Sequence, residues 1–445
     1  MTEVPEKEEI KNWYYSNFEL FENSLNGQSK APVHKIRKEA IAEFIELGFP
    51  TTKNEEWKYT NIAPLLTQNF KPAYLSNKIS LSKEEVSKFL FTGVNASILV
   101  FVNGDFSNEL SSLLPEAKGV KFESLRQVLN NEPDFIEKYL LKSNKTIDGF
   151  SALNRAFISD GIVLRVPDST ILENPVHLLF ISGSDEENLL VQPLNYIFVG
   201  KNSQIKIIES TVGVGSKAYL LNSVTEIFTG ENSVTNYYKI QNDPDTCFQV
   251  SRTLIHQERS SVFTSNVISI GGELIRNDIS TIFESEGCES NLYGLYLADG
   301  KRHIDNHTLI DHAVAHCHSN ELYKGILDEK ARGVFNGKVL VRKDAQKTQA
   351  YQSNKNLLLS RLAKVDTKPQ LEIFADDVKC SHGATIGQLD EQSMFYLRSR
   401  GIGTEKARSL LLNAFASDIV DLISIEPLRE TMNRIILDRL HKVSL

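Results

Sequence analysis

The 445-residue sequence contains no run approaching the ~18 apolar residues that a membrane helix needs, so no helical membrane span is expected. It has no G-x-x-x-x-G-K-[ST] loop. Gly213-Val214-Gly215-Ser216-Lys217 has the composition of a phosphate cradle but not the spacing, and the chain is not expected to hydrolyse ATP itself. A G-x-S-x-G elbow, an H-E-x-x-H helix and a Rossmann fingerprint are also missing, which removes the common sequence marks of acyl hydrolases, zinc proteases and dinucleotide enzymes. Cysteine is scarce: the four residues Cys247, Cys288, Cys317 and Cys380 include no C-x-x-C and make no disulfide framework. The start MTEVPEKEEIKNW alternates charges instead of joining a basic end to an apolar core, so no export signal is read there and free thiols in a reducing cytoplasm are expected. Positive charge is not in excess. A formal charge of -8 and a pI near 5.8 disfavour nucleic acid as a partner, because phosphate binding relies on surplus Lys and Arg. What is present, 41% hydrophobic and 24% charged residues, is ordinary globular composition at a length that suits two or three domains.

Three textures succeed one another along the chain. Ile10, Trp13, Tyr14, Phe18 and Phe21 form one helical stripe, and Ile36, Ala40, Phe44 and Leu47 form a second that stops at Gly48. A strand is expected over Ser97–Val102, ending in the turn pair Asn103-Gly104, with helical patterns around Leu125 and over 136–141. These make an N-terminal helical and mixed domain, 1–145. From there to residue 385 short alternating runs dominate, such as Ile162, Leu164 and Val166. Lys201-Asn202-Ser203, Glu231-Asn232-Ser233, Glu258-Arg259-Ser260 and Glu286-Gly287-Cys288 each open such a run, at spacings of 30, 27 and 28 residues. A polar turn plus strands at a near-fixed interval fits the coils of a β-helix, while paired hairpins of a β-sandwich can mimic it. The last texture, 386–445, is helical. Asp390 is an N-cap and Gly401 a stop for a helix carrying Met394, Phe395 and Leu397. Ala407, Leu410, Leu411, Ala414 and Phe415 make a second stripe, and Leu428, Met432, Ile435, Ile436 and Leu440 a third, with core packing the default reading of both.

The most chemically loaded segment is Leu371 to Gly401, LEIFADDVKCSHGATIGQLDEQSMFYLRSRG. If Leu371 to Thr385 is extended, Cys380 and His382 project from one face, because side chains alternate with period two. A thiolate beside an imidazole can ligate iron or zinc, carry sulfur, or be activated for attack, and it can equally be a half-buried Cys next to a turn histidine. DDVKCSHGAT, the preceding AQKTQAYQSNKNLLLS at Ala345 to Ser360, the following FYLRSRGI, and EEWKYT at Glu55 to Thr60 together resemble the SufB/SufD family of iron–sulfur cluster assembly proteins. The resemblance spans most of the chain. It implies a mainly β fold, with a right-handed parallel β-helix core over 146–385 flanked by N-terminal and C-terminal helical segments. It further implies a non-catalytic scaffold subunit with a SufB-like partner at the β-helix end and a SufC-like ABC ATPase docking on the C-terminal helices, at Phe395, Leu410, Leu411 and Phe415. His382, and with it Cys380, would then lie at the cluster-assembly interface as metal ligands to iron or a nascent iron–sulfur cluster. Clusters usually take four ligands, and one Cys with one His cannot supply them, so the others must come from another chain. Modest length and the lack of a cysteine-rich N-terminal segment place the chain nearer the SufD branch. Deletion of 404–445 is expected to abolish ATPase docking and leave the β-rich core folded.

Five of the ten histidines fall between His303 and His318. His303, Asp305, His307 and Asp311 share one strand parity; His312, His316 and His318 share the other, so simple strand geometry does not make them one site. A metal reading would take His316 and His318 with an Asp or Cys from a neighbouring rung, and a structural reading treats the cluster as satisfied polar ladders. Cys247 and Cys288 read as isolated small core residues. Asp376-Asp377 beside Lys379 supports a rival, a β-helical carbohydrate-active enzyme using a carboxylate pair, which predicts export and an aromatic-lined groove. A third class is an interaction scaffold in which Cys380 and His382 are purely structural.

Overall fold

The computed structural model describes residues 6–25, 31–76, 79–115, 119–140 and 148–442. Strand residues outnumber helical ones, 41% to 27%, and the body is a β-helix of about 8 turns with helices at both ends. From Leu194 onward the chain visits two sheets alternately, and each strand pairs in parallel with the strand two places further on. The register runs without a break: Phe248, Leu274, His303, Arg332 and Lys364 are successive partners across five coils.

The corners explain why the sequence repeats. Asn202, Asn232, Ser260, Gly287, His316 and Lys347 all have positive φ, a conformation in which Gly and Asn pay least. The N–H groups of Asn202, Asn232, Ser260, His316 and Lys347 tie one coil to the next, as where Asn202 donates to the Glu231 carbonyl at 2.8 Å and Asn232 to that of Arg259 at 2.9 Å. The residue after each corner turns inward and is buried, giving a column of Ser203, Ser233, Ser261, Cys288, Cys317 and Thr348. The next strand opens immediately after it. The expected turns at 201–203, 231–233, 258–260 and 286–288 are therefore corners of one solenoid, and the sandwich alternative falls because no hairpins join these strands.

Inside the coils apolar residues such as Ile207, Tyr237, Phe263, Leu292 and Tyr323 stack in one cluster. A buried ion pair interrupts it, with Lys239 Nζ 2.8 Å from Glu209 Oε1 and the Tyr237 hydroxyl donating to the same carboxylate. Gly294 is needed where it stands, since a Cβ there would lie 2.2 Å from the Tyr323 ring.

Helices cap the outer faces. Helices Lys7–Ser24 and Pro32–Leu47 bury Tyr14, Phe18, Phe21, Ile36, Ala40 and Phe44, and the second ends at Gly48 with φ 64 as expected. Trp13 does not join that face; it stays 37% exposed, with its indole N–H donating to the Phe70 carbonyl at 3.0 Å. This N-terminal layer, with Trp57, Phe150 and Phe157, packs on Leu220, Phe248 and Leu274 of one sheet. Ser97–Val102 turns at Asn103-Gly104 into Asp105–Ser112 and also extends the other sheet by pairing with Val176–Gly183. A helix forms over Leu125–Asn131 and a wider helical turn over Ile136–Leu140, while residue 141 lies outside the described residues. A further helix, Gly149–Ala156, precedes the first solenoid strand at Ile162.

The C-terminal helices Thr404–Val420 and Glu426–Lys442 cover Ile208, Tyr238, Ile268 and Leu295 on the second sheet. Leu428, Met432, Ile436 and Leu440 are buried as their stripe predicts. The other stripe is rotated from its expected face. Ala407, Leu412, Ala416 and Ile419 face the sheet, leaving Leu410 exposed and Leu411 and Phe415 half-buried. Among the described residues no helix is long and apolar enough to cross a membrane.

Candidate functional site

The segment from Leu371 to Thr385 is not one strand. Lys364–Ile373 belongs to the first sheet and Lys379–Gly387 to the second, and a corner at 374–378 switches between them. Each is the terminal strand of its sheet among the described residues, so the edges of both face outward at the end of the solenoid. Such an edge offers a row of backbone donors and acceptors to another chain. In register, Cys380 lies beside Ala350 and His382 beside Gln352. The two side chains do share a face, as their spacing requires.

Their surroundings differ. Cys380 is half-buried against Val339, Val341, Ala345 and Ala350, and this burial pushes its thiol pKa up. His382 and the rest of Lys379–Gly387 are exposed. A Cβ at Gly383 or Gly387 would meet nothing within 4 Å, so the surface beside the imidazole is open. Tyr351, Ile373, Phe374 and Ile386 add exposed apolar surface to this end, Phe374 being 64% exposed. An open strand edge, apolar side chains and one thiol–imidazole pair thus meet at one end of the molecule.

Asp376 and Asp377 are exposed in the corner, with Asp377 ion-paired to Lys347 and its N–H donating to Gln346 Oε1 at 2.9 Å. The pair acts there as turn chemistry. Strand Gln349–Leu358 is explained by its interior contacts: the Gln352 amide donates to Glu321, and the Asn354 amide donates to the Tyr323 carbonyl at 3.1 Å. At the other surface, Asp390 caps helix Glu391–Ser399 by accepting from the Ser393 N–H at 2.9 Å, and the helix stops at Gly401, φ 84. None of its side chains is buried; Phe395 is 75% exposed and Tyr396 57%. Leu410, at 43%, is a further exposed apolar side chain on the helical layer.

The histidine cluster divides as its parity says, and its odd-numbered half clamps the N-terminal layer. Thr60 donates its hydroxyl to Asp305 at 2.5 Å and lies 2.9 Å from His303 Nε2. His307 sits between Asp305, at 3.0 Å, and Glu56, at 3.4 Å. Arg276 donates to the Glu56 carbonyl at 2.6 Å, pairs with Asp305 and Asp278, and lies 3.9 Å above the Trp57 ring. The EEWKYT block is therefore the socket of an ion-pair and cation–π clamp. His312 instead points inward, its ring 2.9 Å from the Ser319 hydroxyl, and burial pulls its pKa down to about 3. His316 is an exposed corner residue and His318 opens the next strand, so they converge on no shared ligand position with a neighbouring Asp or Cys. Among the described residues, no group of three or more His, Cys, Asp and Glu is placed to hold a metal ion.

Sequence reading missed the ionisable groups inside the solenoid. Glu321 is buried and its pKa is raised to about 7 by that burial; Asp243 is raised by burial as well, while accepting from Thr211 and Tyr219. It also misjudged Cys288, which is not isolated but neighbours Cys317 in the corner column. The register of the corner turns, extended past 288 to His316 and Lys347, carried that information.

A two-sheet β-helix with helical layers on both faces and a Cys-x-His strand at its open end defines a class of solenoid scaffold. Residues 180–415 match the SufBD core domain of the SUF iron–sulfur cluster assembly system, and residues 8–178 match the SufBD protein N-terminal region. The chain belongs to the SufB/SufD family. It is 34% identical over 402 residues to an iron–sulfur cluster assembly SufBD family protein of Synechocystis, covering 88% of each chain. It is 28% identical to the iron–sulfur cluster assembly protein SufD of Escherichia coli, over 95% of this chain and 94% of that one. With SufD of Bacillus subtilis the identity is 26%, over 92% and 94%. The protein has a role in iron–sulfur cluster assembly.

Proposed function

We propose that this chain is a non-catalytic SufD-like scaffold subunit, whose open solenoid end pairs with a SufB-like subunit and whose C-terminal helices engage a SufC-like ABC ATPase. The observation that carries the reading is the Cys380–His382 strand, with an exposed imidazole on a strand that ends its sheet among the described residues. Iron or a nascent cluster would be held there as cargo, with His382 and Cys380 giving two ligands and the partner the others. His382 can alternatively hold or pass a proton there as sulfide and iron come together. Exposed Phe395 and Leu410, with half-buried Leu411 and Phe415, support the ATPase assignment, since apolar side chains left open on a surface can serve as contact sites.

The test is co-expression with SufB-like and SufC-like proteins, followed by anaerobic reconstitution of the purified complex with iron and a sulfur donor. His382→Ala should leave complex formation intact and lower cluster yield several-fold, with a milder effect from Cys380→Ser. His303→Ala, in the clamp, should cost stability without changing cluster yield once folded. Equal yield from wild type and His382→Ala at matched complex concentration would leave the interface reading without its chemistry.

A further inference from the structure

The corner column contains two adjacent thiols among hydroxyls. Ser203, Ser233, Ser261, Cys288, Cys317 and Thr348 each follow a left-handed corner residue and each is buried. Glu289 and His318 are register partners, so Cys288 and Cys317, one residue earlier, stand side by side on neighbouring coils. The His318 N–H donates to the Cys288 carbonyl at 2.9 Å, which fixes that alignment. Parallel strands lie ~4.8 Å apart, inside the ~4.4–6.8 Å window of Cα separations that a disulfide spans. Both sulfurs also reach the same acceptor, the Ser285 carbonyl, Cys288 at 3.0 Å and Cys317 at 3.6 Å.

We propose that Cys288 and Cys317 form a redox dithiol, closed into a disulfide across two coils by a hydroperoxide and reopened by thiol reductants. The neighbouring Cys317 thiol and then the Ser261 hydroxyl, 3.8 Å from the sulfur, outweigh burial and hold the Cys288 pKa down to about 7. Cys317 is raised by the same contact and by burial. Cys288, whose sulfur accepts from the Ser261 hydroxyl, is assigned as the attacking sulfur and Cys317 as the resolving one. The Cys288 thiolate attacks one peroxide oxygen, the O–O bond breaks, and the alcohol or water that leaves takes the Cys288 proton. Cys317 then attacks the resulting sulfenic sulfur; the S–O bond breaks and the hydroxide leaves as water with the Cys317 proton. Two thiols lose two electrons in total, and the peroxide gains them. Both sulfurs are buried directly beneath the exposed corner residues Gly287 and His316, so a small oxidant has one corner layer to cross.

The full chain, reduced and then exposed anaerobically to hydrogen peroxide, should be unfolded in an alkylating agent and mapped by peptide mass spectrometry. Expected is a peptide cross-linked between Cys288 and Cys317 that dithiothreitol releases. Cys317→Ser should instead leave Cys288 as a sulfenic acid that dimedone traps. Folding of that variant is expected because the same column already carries Ser at three other coils. Full alkylation of Cys288 and Cys317 after peroxide has oxidised the half-buried Cys380 would overturn the proposal, as would pairing of either residue with Cys247 or Cys380.

Discussion

Raising the pH from about 6 to about 9.5 should loosen the clamp between the N-terminal layer and the solenoid, through one imidazole. His307 faces Asp305 and Glu56 as acceptors, with Arg276 as the nearby opposing charge and Asp278 beyond it. Burial works against its charge, but Asp305, together with Glu56, outweighs burial and Arg276 and holds the pKa up at about 9, against an ordinary 6.5. For a group raised on folding, the stabilisation is fully present below the unfolded value and disappears as pH climbs through the folded one. The window is therefore about pH 6.5 to 9, and the shift corresponds to about 3 kcal/mol. Asp305 is lowered by the same pairing and its loss falls at the acid end, so the two effects are not added. With unfolding entropy near ~2.1 cal/mol/K per residue, a chain of this size melting as one unit loses about 3 °C. His307→Gln keeps a donor but does not titrate. Calorimetric Tm values of both proteins at the two pH values isolate the effect, because Cys288 and Glu321, which also titrate near neutrality, are common to both. The wild-type advantage should shrink by about 3 °C across the window; an advantage constant with pH would refute the ion-pair account of the clamp.

Lys239→Met should cost about 3–5 kcal/mol, because it leaves the Glu209 carboxylate buried without its cation, and adding Glu209→Leu should recover most of that in thermal melts. Deleting residues 404–445 should leave the β-rich core folded but expose Ile208, Tyr238, Ile268 and Leu295, lower the Tm and induce binding of a hydrophobic dye. Phe395→Ser with Leu410→Ser should leave the Tm within about 1 °C, since both side chains are exposed, and so tests ATPase capture in a pull-down without disturbing the core.

The solenoid was legible because its corners impose a local rule. A residue that tolerates positive φ, followed by a small inward residue and then a strand, recurs at each coil, and Asn202-Ser203 and Asn232-Ser233 state that rule in plain residue types. It became hard to read at His316-Cys317 and Lys347-Thr348, where hydrogen bonds to the next coil hold non-glycine residues in the same conformation. Tertiary pairing overrides local preference there, and so His316 was read with the histidine cluster and Lys347-Thr348 only as part of the Ala345 to Ser360 block. The helical stripes told which segments were amphipathic but not their rotation by one residue, and that rotation decides whether Leu410 or Leu412 faces the sheet. Parity placed Cys380 and His382 on one face, because period two needs only a strand; that the strand ends a sheet is a property of the whole topology. The same logic sets what one chain can disclose about its chemistry. In the clamp, buried His307 and Asp305 and exposed Glu56 pair with one another inside the chain, so its geometry accounts for these charges. Cys380 and His382 stand on an open edge, where the cluster proposed above would draw its remaining ligands from a second subunit.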